Sequence, residues 1–295
     1  MRLTKTAIHT ERHPSVWKQA SSVVIRKPGK DDYTQLMAYR SILLLSCMGN
    51  VVERVVAELL SDQAERRGLL SKGQFGSRRG RSAIDAAAIM VDRAHAAWRD
   101  GQIAGMLHMY IEAAFPRVAK GRLVNLMKVR QMDGDLIRWT ESFLLKRTVE
   151  MVIEGNAMER HPVEAGVPQG SPVSLILFAI YTSALIKWVE EYVSEATGLS
   201  FVDDLGWVAT GSDVNHVISI LERCAAQSIK WASRRGLQFD TAKTEAALFT
   251  GRRSHRKHLQ PKLTAKIRVR SRVIQFNIQV TRSVSNSSIF GLFVL

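Results

Sequence analysis

Phe201-Val202-Asp203-Asp204-Leu205-Gly206-Trp207-Val208-Ala209 decides the reading of this chain. Two apolar residues precede an aspartate pair and an apolar run follows it. The pattern predicts strand, tight turn, strand, with both carboxylates at the tip. Carboxylates on a rigid turn are hard oxygen ligands of the kind that hold Mg²⁺ together with phosphates. An Asp pair alone is commonplace in solvated turns. A second stretch upstream changes its weight: Gly166-Val167-Pro168-Gln169-Gly170-Ser171-Pro172, joined to the acidic turn by one apolar helix.

Outward from this pair, local patterns divide the chain. Residues 1–20 are polar and read as loose. Val23-Val24-Ile25 is a short strand and Arg26 to Asp32 a charged loop with Pro and Gly. Helical periodicity runs from Leu43 to Arg67, where Gly68 stops it. Lys72 to Arg81 is a loop rich in Gly and Arg. Ser82 and Asp85 form a capping box opening a helix to Trp98, which Gly101 closes. Ile103 to Ile111 is a strand. Lys120 to Lys146 holds two helical patterns broken near Asp133-Gly134, and Val149 to Val163 a hairpin turning at Gly155-Asn156. Asp213 to Arg235 is an amphipathic helix ended by Gly236, and Ala246 to Phe249 a short strand. Such a mixed order predicts an α+β fold with helices on one face of an antiparallel sheet.

Bulk properties narrow the class. The 295 residues are 46% hydrophobic, enough for a sizeable core in one large domain or two lobes. The net charge of +15 favours a polyanionic partner. Cys47 and Cys224 each sit inside an apolar helical pattern without metal-binding spacing, as in a reducing compartment. Met1 to Lys18 lacks the continuous apolar core of a secretory signal, so an intracellular setting, nuclear or cytoplasmic, is expected. Pro172 to Val189 approaches membrane-spanning length but contains Ser174, Thr182, Ser183 and Lys187, which predicts a buried core helix and no membrane.

GVPQGSP followed by FVDD resembles the palm of reverse transcriptases, most of all those of non-LTR (LINE-type) retrotransposons. The resemblance runs from about Trp17 to about Gly251. It takes in Lys27-Pro28-Gly29-Lys30, Tyr39-Arg40-Ser41-Ile42, Gln74-Phe75-Gly76-Ser77-Arg78, Ile111-Glu112-Ala113-Ala114-Phe115 and Ala242-Lys243-Thr244-Glu245, in that order. It implies a polymerase palm-and-fingers architecture with an antiparallel palm sheet backed by helices. The implied division is a loose segment over 1–20, a fingers-like region over 21–102 and a palm-like region over 103–251 that includes the helices and hairpin of 120–165. A basic connector or start of a thumb spans 252–282, and an atypical apolar tail spans 283–295. The polar-then-apolar end fits no thumb helix, so the thumb is expected to be absent or incomplete. No endonuclease-like stretch is read ahead of the fingers-like region and no RNase H after the palm-like one.

The implied chemistry is RNA-directed DNA synthesis from dNTPs on an RNA template and a DNA primer. It uses two divalent ions, Mg²⁺ or Mn²⁺, roughly 3.5–4 Å apart. Asp203 and Asp204 carry over as metal ligands and catalytic residues, with Lys243 as the acid that protonates departing pyrophosphate. Phe115 carries over beneath the incoming sugar. Gln169 and Gly170 line the nucleotide pocket, and Lys27, Lys30 and Arg40 meet the triphosphate. Arg78, Arg79 and Arg81 are expected on template phosphates, and Arg252 to Lys266 forms a second basic patch.

One position departs from the pattern. Tyr110 stands where the first strand's aspartate belongs. Ionising a phenol at neutral pH costs about 4 kcal/mol before any help from a metal, so weak metal binding and reduced activity are expected. Glu112 shares Tyr110's face but sits about 6.6 Å further along a strand, too far to replace it. Ser41 and Leu175 replace prolines of the pattern and leave two turns less preset. Besides an active polymerase domain, two readings remain. One is a non-catalytic nucleic-acid-binding relic. The other is a palm like that of RNA-dependent RNA polymerases, which more often carry Gly where this chain has Val202.

Overall fold

The structure, a computed structural model, describes residues 2–29, 31–35, 38–153, 155–249, 264–269 and 272–281. In chain order, α1 (Arg2–His9) and a 3-10 turn (Ser15–Lys18) lead into β1 (Gln19–Arg26), β2 (Tyr39–Leu44), α2 (Cys47–Arg66), α3 (Ala83–Arg99) and β3 (Ile103–Ile111). Next come α4 (Lys120–Val129), α5 (Gly134–Leu144), β4 (Thr148–Ile153), β5 (Asn156–Pro162), α6 (Pro172–Thr182) and α7 (Ala184–Tyr192). The remaining elements are β6 (Ala196–Phe201), β7 (Asp204–Gly211), α8 (Val214–Ser233), β8 (Phe239–Phe249), β9 (Thr264–Val269) and β10 (Arg272–Thr281). Lys30, the run from 250 to 263 and the tail from 282 to 295, with the expectations placed on them, lie outside the described residues.

Two compact units result, each assembled from separated stretches: residues 1–69 with 115–181, and residues 70–114 with 182–295.

In the first unit, a four-stranded sheet has the order β2-β1-β4-β5, with β1 parallel to β4 and the other pairs antiparallel. Beside it, α2 buries Gly49, Val52, Glu53, Val56, Leu60 and Ala64, the spacing of one helical stripe. Asp133 caps α5 by accepting from the backbone N–H groups of Asp135 and Leu136, which is the break expected there. The segment before residue 20 is not loose. It holds α1, and His13 is only 2% exposed. Local polarity hid this, because the segment's partners are distant: the His13 backbone N–H donates to Ser142 Oγ, and α1 packs on α2 and α5.

The second unit is built on a six-stranded sheet, β6-β7-β3-β8-β10-β9. All its pairs are antiparallel except β8 with β10. Ser82 and Asp85 make the expected reciprocal capping box at the start of α3. From there α3 lays Ala86, Ala87, Met90, Ala94 and Ala97 against Ala104, Met106, Val208 and Ala247. Helices cover both faces of the sheet, not one. Gly105 points opposite to Met106, and a Cβ there would lie 2.4 Å from Val217 and 3.2 Å from Leu221, both on α8. This explains why β3 is buried almost throughout. The apolar stretch Pro172–Tyr192, long and apolar enough by composition to cross a membrane, is mostly buried within the protein and is split into α6 and α7.

Candidate functional site

The acidic turn forms as expected. Phe201 pairs with Asp204, so Val202 and Asp203 are the two residues of a tight hairpin loop. Val202 has φ of +58°, the sign a type II′ turn needs at its first loop position, where glycine is the usual occupant. A β-branched residue held there stores about 1–3 kcal/mol of strain. The loop before α3 secures it. Phe75 N–H donates to Ser200 O and Ser200 N–H to Gly73 O, each at 2.8 Å. Gly76 then presses so close that a Cβ would lie 2.4 Å from Val202 N. In that loop Arg78 donates to the carbonyls of Ser71 and Gln74, and Arg81 to that of Lys72 while lying over the Phe75 ring. These two arginines thus organise the loop's own backbone, and Arg79 is its exposed arginine.

Opposite the turn, β3 and β7 pair Tyr110 with Asp204, and Ile111 N–H donates to Asp203 O at 2.9 Å. Tyr110's hydroxyl donates to the Asp203 carboxylate. Burial pushes that carboxyl above its ordinary value and the charge of Asp204 adds to the rise, while the Tyr110 hydrogen bond and Lys243 oppose it. His108 Nε2 lies 3.4 Å from Asp204 Oδ1. Lys243 places its ammonium 4.0 Å from the centre of the Tyr110 ring and 3.8 Å from Asp240 Oδ2. Glu112 is past the end of β3, where its backbone N–H donates to Gln238 O.

These residues do not fit a pair of divalent ions. Two carboxylates stand at the turn, but the facing strand offers a phenol whose hydroxyl already donates a hydrogen bond to one of them. Among the described residues no group of three or more His, Cys, Asp and Glu side chains is placed to hold a metal.

The expected nucleotide-pocket residues gather in the first unit. Val167 N–H donates to Phe115 O and Gly166 N–H to Val118 O, each at 2.9 Å. A Cβ on Gly166 would meet Pro116 Cα at 2.7 Å, so only glycine allows this approach. Half-buried, Phe115 leans on Phe178 with ring centres 5.4 Å apart. Gln169 and Gly170 are exposed at the loop's edge. Gly170 has φ of +102°, and its Cβ position is 3.2 Å from Leu43 O, on the strand that displays Arg40. Lys27 follows the end of β1, its backbone N–H donating to Ala38 O, and Tyr33 ties down the following loop by donating to Lys27 O.

Sequence reasoning missed His108, Asp240 and, in the first unit, Glu53 and His13. Glu53 had a legible signal, since a carboxylate on the apolar stripe of α2 is out of place. The other three become visible only through strand pairing or distant contacts.

Comparison with known proteins gives this geometry its context. The chain is 27% identical over 245 residues to the RNA-directed DNA polymerase from mobile element jockey of Drosophila melanogaster, covering 81% of this chain and 26% of that protein. It is 25% identical over 240 residues to the probable RNA-directed DNA polymerase from transposon BS of the same fly, covering 80% and 26%. It therefore spans about a quarter of the length of the curated relatives it matches. Among solved structures, apo telomerase from Candida tropicalis truncated from its C-terminal domain aligns with a TM-score of 0.57 at 13% identity, covering 79% of this chain and 50% of that one. Telomerase from Candida albicans, in complex with a TWJ fragment of telomeric RNA, aligns with a TM-score of 0.52 at 13% identity, covering 94% and 48%. These structural likenesses show the fold, a polymerase palm and fingers. Residues 25–278 match the family described as reverse transcriptase (RNA-dependent DNA polymerase), and the chain belongs to that family.

Proposed function

We propose that this chain is a domain built for RNA-directed DNA synthesis whose own nucleotidyl transfer is lost or severely reduced. The supporting observation is Tyr110, paired with Asp204 in the strand register and hydrogen-bonded to Asp203. In the reaction a primer 3′-hydroxyl attacks the α-phosphorus of a dNTP and pyrophosphate leaves. That step needs concentrated positive charge at the phosphates. Lys27 and Arg40 supply fixed charge to the triphosphate, and Phe115, Gln169 and Gly170 shape its pocket. Asp203 and Asp204 would hold an ion less firmly than three carboxylates do, and Lys243 must leave the Tyr110 ring before it can protonate pyrophosphate.

The partners on this reading are an RNA template, a DNA primer and dNTPs in an intracellular setting, with Arg79 on template phosphates. Primer extension on an RNA template tests it, comparing the purified chain with its Tyr110→Asp variant. Extension near background that rises in the variant supports the reading, and robust extension by the unaltered chain rejects it.

A second reading, a nucleic-acid-binding module without catalysis, is favoured by the net charge of +15. It predicts salt-sensitive RNA binding and no extension by either version.

A further inference from the structure

Glu53 is the most deeply buried carboxylate among the described residues, with its residue only 1% exposed on the apolar stripe of α2. Burying a charge there is costly unless it is hydrogen-bonded. The partner that it finds belongs to the nucleotide-pocket loop: Ser171 Oγ donates to Glu53 Oε2 at 2.5 Å. Ser171 is itself 3% exposed and is the N-cap of α6, its hydroxyl accepting from Val173 N–H at 3.3 Å just ahead of Pro172. One hydroxyl therefore joins α2 to the start of α6, one residue beyond the exposed Gly170.

The carboxylate's other oxygen is also enclosed. His13 Nε2 lies 3.5 Å from Glu53 Oε1, and the imidazole is boxed edge-on by Trp17, Trp139 and Phe143 at 5.2–5.7 Å between ring centres. Arg147, 4% exposed, lies over the Phe143 ring and donates to Phe143 O. Its guanidinium charge acts on Glu53. Three titratable side chains from three distant parts of the chain thus meet behind the loop, where a leucine at position 53 would bury at no electrostatic cost.

We propose that Glu53 is a positioning residue of the Gly166–Ser171 loop, its carboxylate fixing Ser171 and thereby the Gln169-Gly170 edge presented to an incoming nucleotide. His13 lies against the carboxylate's other oxygen, and the Arg147 charge bears on it. The nucleotide part of this statement rests on the function proposed above, whereas the seating of the loop by Glu53 does not.

The test compares the full chain with Glu53→Leu, Ser171→Ala and Glu53→Gln by residue-resolved amide hydrogen exchange, with titration of the fluorescent nucleotide MANT-dATP alongside. Glu53→Leu and Ser171→Ala should speed exchange at Gly170 to Ser174 about tenfold or more, leaving β3 and α8 unchanged. Glu53→Gln, whose amide oxygen still accepts from Ser171, should retain most of the protection. Unchanged exchange in the loop, or an equal rise throughout the first unit, overturns the positioning role. MANT-dATP affinity reports separately on the nucleotide reading. Binding that weakens about tenfold in step with exchange supports it, and failure of the unaltered chain to bind rejects that reading while exchange alone decides the role of Glu53.

Discussion

The hydroxyl of Tyr110 donates to the carboxylate of Asp203. Its ring carries the Lys243 ammonium on one face, so the position opposite the acidic turn holds a phenol and a lysine where a third carboxylate would bring negative charge. Position 110 therefore couples the two strands that carry the aspartate pair.

Tyr110→Asp exchanges a donor for a third carboxylate on the strand facing the turn. Mn²⁺ affinity, measured by titration calorimetry, should rise at least about tenfold, since hard cations gain with each added carboxylate. Tyr110→Phe, which frees Asp203 but adds no ligand, should gain much less. Equal affinities in all three chains would show that position 110 does not limit ion binding.

Acid should weaken the first unit through His13. Burial, then the charges of Arg147 and Lys18, lowers its pKa to about 4. The unfolded imidazole takes up a proton near pH 6.5. Between those values the unfolded chain holds more protons, so stability falls as pH drops from 6.5, by about 3 kcal/mol on reaching 4. Glu53 acts in the other sense: burial raises its carboxyl, so its contribution is present at low pH and fades as pH rises through that raised value. Urea midpoints at pH 6.5 and 4.5 should fall less in His13→Gln than in the unaltered chain. Parallel declines would mean that His13 is not held neutral.

Gly105→Ala should destabilise the second unit by about 2 kcal/mol through overpacking. The new Cβ would stand 2.4 Å from Val217 Cγ1 and 3.1 Å from Leu248 Cδ2. Thermal unfolding measures the loss, and a companion Val217→Ala change should restore part of it.

The three loop arginines should separate. Arg79→Ala should lower the slope of log Kd against log salt for single-stranded RNA by about 0.7, the value of one phosphate contact. Arg78→Ala and Arg81→Ala should in addition speed amide exchange over residues 71–76, because their side chains donate to that backbone. If all three leave exchange unchanged, the inward hydrogen bonds do not order the loop.

Local signals in the sequence determined much of this protein. The Ser82–Asp85 capping box, the break at Asp133-Gly134 and the acidic hairpin are encoded in residues a few positions apart, where backbone geometry leaves few choices. Motif order was equally legible and named the family. Tertiary structure alone decided the rest. Strand pairing set Tyr110 against Asp204 and put Lys243 on its ring. Packing across 118 positions joined Ser171 to Glu53, and across 129 joined His13 to Ser142, in a segment whose composition reads as loose. Arg78 and Arg81 read in sequence as contacts for template phosphates, and only the folded loop shows that they also donate to its own carbonyls. Periodicity and capping act within a turn or two of chain, whereas burial and long-range hydrogen bonds depend on which distant surfaces the fold brings together.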